Sequence, residues 1–186
     1  MRITKFIAAA AALSLSATAF GAGTHGHGHG HGHGHGHGSG AAIGEPANAS
    51  EATRTVTVAM YDNYYEPETL DIQKGEVVRF VVENHGQLVH EFNIGTADMH
   101  EAHQEEMVMM VEHGVIQGGT INHQMMEMDM GDGHTMKHDD PNSVLLEPGQ
   151  SGELIWRFSG DTTLEFACNV PGHYQAGMYG DVRFQQ

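Results

Sequence analysis

The stretch "EFACNVPGHYQAGMYG", residues 165–180, decides how this chain of 186 residues is read. It holds the single cysteine, Cys168, with His173 five residues later and Met178 five after that. The apolar alternation of "TLEFAC" before it and "GMYGDVRFQ" after it marks two strands. A loop joining adjacent strands can turn Cys168, His173 and Met178 toward one point. Taken alone, a free cysteine is a small buried hydrophobe. The sharper reading is a metal ligand or nucleophile, and the neighbours choose between them.

The flanking sequence carries the same strand pattern. "TRTVTVAM" (53–60) alternates, "EVVRFVVEN" (76–84) is β-branched and apolar, "VHEFNI" (89–94) is short, and "GELIWRFS" (152–159) follows. Turn signals separate them at "QKGE" (73–76), "EPGQSG" (147–152) and "SGD" (159–161). Several short strands with such punctuation predict an all-β fold, a Greek-key sandwich or barrel. Residues 96–143 differ, with nine methionines and six histidines. "ADMHEAHQEEMVMMVEHG" predicts a helix with His100, His103, Met107 and Met110 along one face, and packing is the expected role of Met99, Met107 and Met110. The second half, "MMEMDMGDGHTMKHDDPN", is rich in breakers and reads as loop.

The N-terminus opens with Arg2 and Lys5, an apolar run and small residues around Ala19, the pattern of a secretory signal peptide over residues 1–22. Export, with the periplasm as the expected compartment, follows. In an oxidising compartment structural cysteines pair, and Cys168 has no partner. The net charge of −16 disfavours nucleic acid and favours cations. Residues 23–52 are expected to be a disordered His-Gly tract and linker. The tract carries His25, His27, His29, His31, His33, His35 and His37 on a backbone that glycine leaves without a preferred fold.

Electron-transfer copper sites use a thiolate and two imidazoles in a trigonal plane, with a weak axial thioether. The 168–178 loop supplies three of these four groups, and "NHGQLVHEFNI" offers His85 or His90 for the fourth. His90 is preferred because it starts a strand anchored by Phe92 and Ile94, whereas His85 sits in a turn beside Gly86. Imidazoles and thioethers also bind exchangeable copper. Accessory sites are therefore expected at the seven tract histidines and at Met126, Met128 and Met130, which alternate with acids in a segment poorly suited to a core.

The segments "NHGQLVHEFNI", "VLLEPGQSGELIWRF" and "CNVPGHYQAGMYGDV" together resemble the cupredoxin family over residues 53–186. The resemblance implies equatorial ligands His90, Cys168 and His173, axial Met178, and one type 1 copper ion. Two departures stand out: Glu91 occupies the place where many small cupredoxins carry Asn, and the Cys to His spacing exceeds that of plastocyanin-like members. The His-rich N-terminus and the His- and Met-rich insertion resemble the periplasmic copper-tolerance cupredoxins of the CopI type. Copper tolerance by binding and buffering is the function this implies. The alternative is a mobile one-electron carrier with His173 as electron port and a cytochrome or oxidase as partner. No enzyme is expected, since Ala167 and Asn169 replace the His-Cys-His flanks of multicopper oxidases and the chain has room for one domain.

Overall fold

The computed structural model describes residues 40–129 and 135–185. The expected leader, the His-Gly tract and Met130 lie outside them. A helical turn, α1 (Gly40–Ile43), leads into β1 (Gly44–Pro46) and a 3-10 turn (Ala49–Glu51). There follow β2 (Arg54–Tyr61), β3 (Tyr64–Glu66), β4 (Thr69–Gln73), β5 (Val77–Asn84) and β6 (His90–Gly95). The insertion contains α2 (Ala97–Glu112), the pair β7 (Ile116–Gln117) and β8 (Thr120–Ile121), and α3 (His123–Met126). The chain then completes the sandwich with β9 (Ser143–Leu146), β10 (Ser151–Phe158), β11 (Leu164–Ala167) and β12 (Tyr179–Gln185).

Two five-stranded sheets form, one ordered β1-β10-β5-β2-β3 and the other β4-β12-β11-β6-β9. Both mix directions: β2 runs parallel to β5 and β4 parallel to β12, the other pairs being antiparallel. The inner faces meet through Phe80, Phe92, Phe158, Phe166 and Tyr65, all essentially inaccessible. The Tyr65 ring stands edge-on to Phe166 with centroids 5.1 Å apart. Burying each such ring contributes roughly 1.5–3 kcal/mol. The Tyr65 hydroxyl stays satisfied by donating to the Glu91 carbonyl at 2.6 Å.

The all-β sandwich and its helical insertion agree with the expectation from sequence, and four stretches add to it. β1 lies in the segment read as linker, where it pairs with β10. β3 and β4 fall between the strand patterns at 53–60 and 76–84, and β7 pairs with β8 inside the insertion.

Helix α2 starts at Thr96, whose hydroxyl accepts from the Met99 amide at 3.3 Å, a side-chain N-cap. It ends where Gly114 takes φ of 74°. The Gly114 and Val115 amides then reach back to the Val111 and Met110 carbonyls, the pattern of a Schellman stop. Its buried residues are His100, His103, Met107 and Met110, the face predicted from spacing. The helix packs on β6 and β11. This cover explains why all six residues of β6 are buried. His90, Phe92 and Ile94 alternate with Glu91 and Asn93, so one set faces the core and the other lies on the opposite side of the strand.

Candidate metal centre

β6 and the loop after β11 bring His90, Cys168 and His173 together. The Cys168 thiol is wholly buried. His173 Nδ1 lies 3.3 Å from Sγ and His90 Nδ1 3.8 Å from it. Loop hydrogen bonds fix these positions: His173 donates its amide to Val170, Met178 donates to His173, and Cys168 donates to the Met178 carbonyl. Met178 is fully buried where β12 begins. The remaining nitrogen of His90, Nε2, is 3.1 Å from Asp62 Oδ1, which also accepts from the Gln87 and Leu88 amides. A carboxylate on the far ring nitrogen sets the tautomer and leaves Nδ1 directed at sulfur. The other sequence candidate, His85, is exposed, sits 3.0 Å from Glu83 Oε2 and stacks on Tyr61.

The protonation states suit a cation. Burial lowers the His90 imidazole, although Asp62 acts the other way, and burial with the neighbouring His90 brings His173 down to about 4. Both rings are then neutral ligands at physiological pH. Burial pushes the Cys168 thiol up to about 12, so the thiolate needs a positive charge beside it. Metal bonds of roughly 2.0–2.1 Å from nitrogen and 2.3 Å from sulfur at trigonal angles separate the two donors by about 3.7–3.8 Å. The His90 distance matches that requirement, the His173 nitrogen sits somewhat closer to the sulfur, and the donor set fits copper.

Glu91 is the neighbour that sequence reasoning left without a role. Its amide donates to Cys168 Sγ at 3.3 Å. Its carboxylate Oε2 accepts from the amide and side chain of Asn169 at 3.1 and 2.8 Å, tying β6 beside His90 to the cysteine loop. Oε1 accepts from Ser143 at 2.6 Å and faces His103 Nε2 at 2.9 Å and His138 Nε2 at 2.7 Å. Burial would raise this carboxyl, but the two imidazoles hold it well below the usual carboxylate range. In return Glu91, with Glu106 and Asp140, overcomes burial and lifts His103 to about 10. The signal for Glu91 in the sequence was the acid standing where related chains carry Asn. His103 was visible as a polar residue on the packing face of α2, whereas His138, in a breaker-rich loop, gave no signal.

Of the expected accessory residues, Met126 and Met128 are among the described ones. Met126 packs half-buried against the core and Met128 is exposed. Met99 also packs against the core from α2. Among the described residues no helix is long and apolar enough to cross a membrane.

A cupredoxin-like domain model matches residues 38–137, ending before the cysteine loop. The copper-resistant cuproprotein CopI of Pseudomonas aeruginosa is 49% identical over 150 residues, covering 77% of this chain and 83% of that protein. CopI of Rubrivivax gelatinosus is 38% identical over 75% of this chain and 71% of its own length. Vibrio cholerae CopI is 36% identical over 73% and 68%. Among solved structures, reduced auracyanin from Roseiflexus castenholzii superposes with a TM-score of 0.50 at 19% identity, over 73% of this chain and 99% of that one. Auracyanin B gives 0.52 at 21% identity, over 77% and 97%. The sandwich, the converging His and Cys side chains and these relatives together place the chain in the cupredoxin family, among the CopI copper-resistance cuproproteins, and it binds copper.

Proposed function

We propose that this protein is an exported, periplasmic type 1 copper protein that supports copper tolerance by binding and buffering copper. His90, Cys168 and His173 serve as equatorial ligands and Met178 as the axial one. The observation that carries this reading is the buried Cys168 sulfur with two neutral imidazole nitrogens 3.3 and 3.8 Å away. Copper, when bound, supplies one-electron redox chemistry between Cu(I) and Cu(II). The chain's own part is positional. Asp62 holds the His90 ring, the Glu91 amide donates to the sulfur, and the loop hydrogen bonds keep His173 and Met178 from moving apart. A scaffold already fixed in this way has little to rearrange when the charge at the centre changes.

The tract histidines 25–37 and Met126, Met128 and Met130 add exchangeable copper sites in this reading, supported by their composition and, for Met128, by exposure. The relatives named for copper resistance favour tolerance as the role. One observation favours electron transfer as a second role: half-buried His173 borders a shallow depression shared with Leu88, Val111, Ile116 and Pro171, an apolar rim suited to a redox partner.

Two experiments test the proposal. Cys168→Ser should abolish the sulfur-to-copper charge-transfer colour while leaving the fold; an unchanged spectrum would refute the ligand set. Deleting the gene should sensitise the source bacterium to excess copper, and normal growth of that strain would turn the assignment toward electron transfer.

A further inference from the structure

Beneath α2, on the opposite side of β6 from Cys168, three ligand-type atoms converge a second time. Glu91 Oε1 lies 2.9 Å from His103 Nε2 and 2.7 Å from His138 Nε2, and the two nitrogens are 3.2 Å apart. The three side chains are 0, 10 and 5% exposed. Two ring nitrogens this close cannot both turn a proton toward the other. The shared oxygen also receives Ser143 at 2.6 Å and Asn93 at 3.2 Å. Hydrogen bonding alone would therefore place four donors on one carboxylate oxygen, which has about two lone-pair sites. The other nitrogen of His103, Nδ1, is 3.0 Å from Glu106 Oε2, and Asp140 Oδ2 is 4.0 Å from it. With a proton held on that side, a metal has only the Nε2 proton to displace for the lone pair to face the cluster, as in carboxylate–histidine–metal arrangements.

From this geometry we propose that Glu91, His103 and His138 form a second metal site, separate from the copper centre, for a divalent cation of the Zn(II) or Cu(II) class. Metal bonds of roughly 2.0–2.1 Å, at angles between a right angle and tetrahedral, separate ligand atoms by about 2.8–3.4 Å. The observed separations lie in or just below that range. Two imidazoles and a carboxylate, with no sulfur, select a borderline divalent ion over soft Cu(I). One metal replaces the protons that would otherwise have to share this space. The site does not depend on which residues hold copper at Cys168. It does share Glu91 with that centre, because the same residue donates to Sγ and anchors Asn169.

The test uses the full chain with its copper already bound and reduced, so that zinc is not drawn to the thiolate and both ions are diamagnetic. Zn(II) alone is the probe, and ring-nitrogen NMR is the readout, with His103→Gln and His138→Gln assigning the two signals. The Nε2 resonances of both rings should shift together along one saturable curve and return on chelation, and either variant should weaken this binding by more than about tenfold. The copper colour on reoxidation checks that each variant is folded. A measurement free of variants replaces zinc with paramagnetic Co(II), which should broaden the Glu91, Asn93 and Ser143 amide signals first. Zinc shifts that survive both substitutions, rings that respond to pH but not to zinc, or cobalt broadening confined to other parts of the chain would each overturn the proposal.

Discussion

Replacing Glu91 by alanine tests whether this carboxylate holds the two halves of the protein's polar interior together. The substitution leaves the Asn169 amide, the Ser143 hydroxyl and the imidazoles of His103 and His138 without their acceptor, all in a largely buried region. Removing one partner of a buried ion pair costs about 3–5 kcal/mol. Each stranded neutral donor adds roughly 1–3 kcal/mol unless water enters the vacated space. With water taking the place of the removed carboxylate, the expected net loss is about 3–5 kcal/mol. Glu91→Gln keeps the volume and one acceptor oxygen, and neutral imidazoles can accept from its amide, so its cost should be only about 1–3 kcal/mol. Urea unfolding of chelator-treated protein measures both, because bound metal would otherwise add stability by mass action. An alanine cost below about 1 kcal/mol, or equal costs for the two variants, would refute the view that Glu91 is an ionised keystone.

The proposed copper ligands and their supports give four further expectations. A β-carbon on Gly86 would sit 2.3 Å from Asp62 Oδ1 and 2.7 Å from His90 Nε2, so Gly86→Ala should push Asp62 off the ring and weaken copper binding by roughly 10–100-fold in a competition titration. His90→Ala should remove type 1 copper whereas His85→Ala leaves it, and the reverse order by absorption spectroscopy would move the ligand role to His85. In chelator-treated protein the raised His103 contributes stability that is complete below 6.5 and lost as pH climbs toward about 10, while the lowered Glu91 contributes above 4.5 and is lost in acid. Stability by urea titration should therefore be highest between these limits and fall on the alkaline side by on the order of 3–5 kcal/mol; a flat alkaline limb would contradict the ion pair. Removing residues 24–38 should lower the number of weakly held metal ions, counted by elemental analysis, with no change of colour.

How far the sequence disclosed this molecule depended on the range of the interaction that stabilises each part. The strands β2, β5, β6, β10, β11 and β12 carry their own alternation, and α2 carries its own period and stop signal, so local pattern sufficed. β4 shows a short alternation at Leu70 and Ile72, but what makes it a strand is parallel pairing with β12, more than a hundred residues away in sequence. Just before β1 stands one buried residue, Ile43, whose carbonyl accepts from the Trp156 indole, again a contact that no local pattern announces. The proposed copper ligands stood out in the sequence because three of the four lie within eleven residues, and their chemistry is distinctive. The cluster around Glu91 was not, because its members come from a strand, a helix and a loop. An acid directly after a ligand histidine is nevertheless a physical anomaly on a buried strand, since a charge there must find counter-charges. The two imidazoles that meet it arrive on the insertion, so the segment that looks added to the sandwich supplies groups that a buried Glu91 requires. Shortening that insertion should consequently disturb the Cys168 centre through Glu91, even though none of the four proposed type 1 ligands is removed; an unaltered copper spectrum in a chain lacking residues 97–140 would show that Glu91 needs neither histidine.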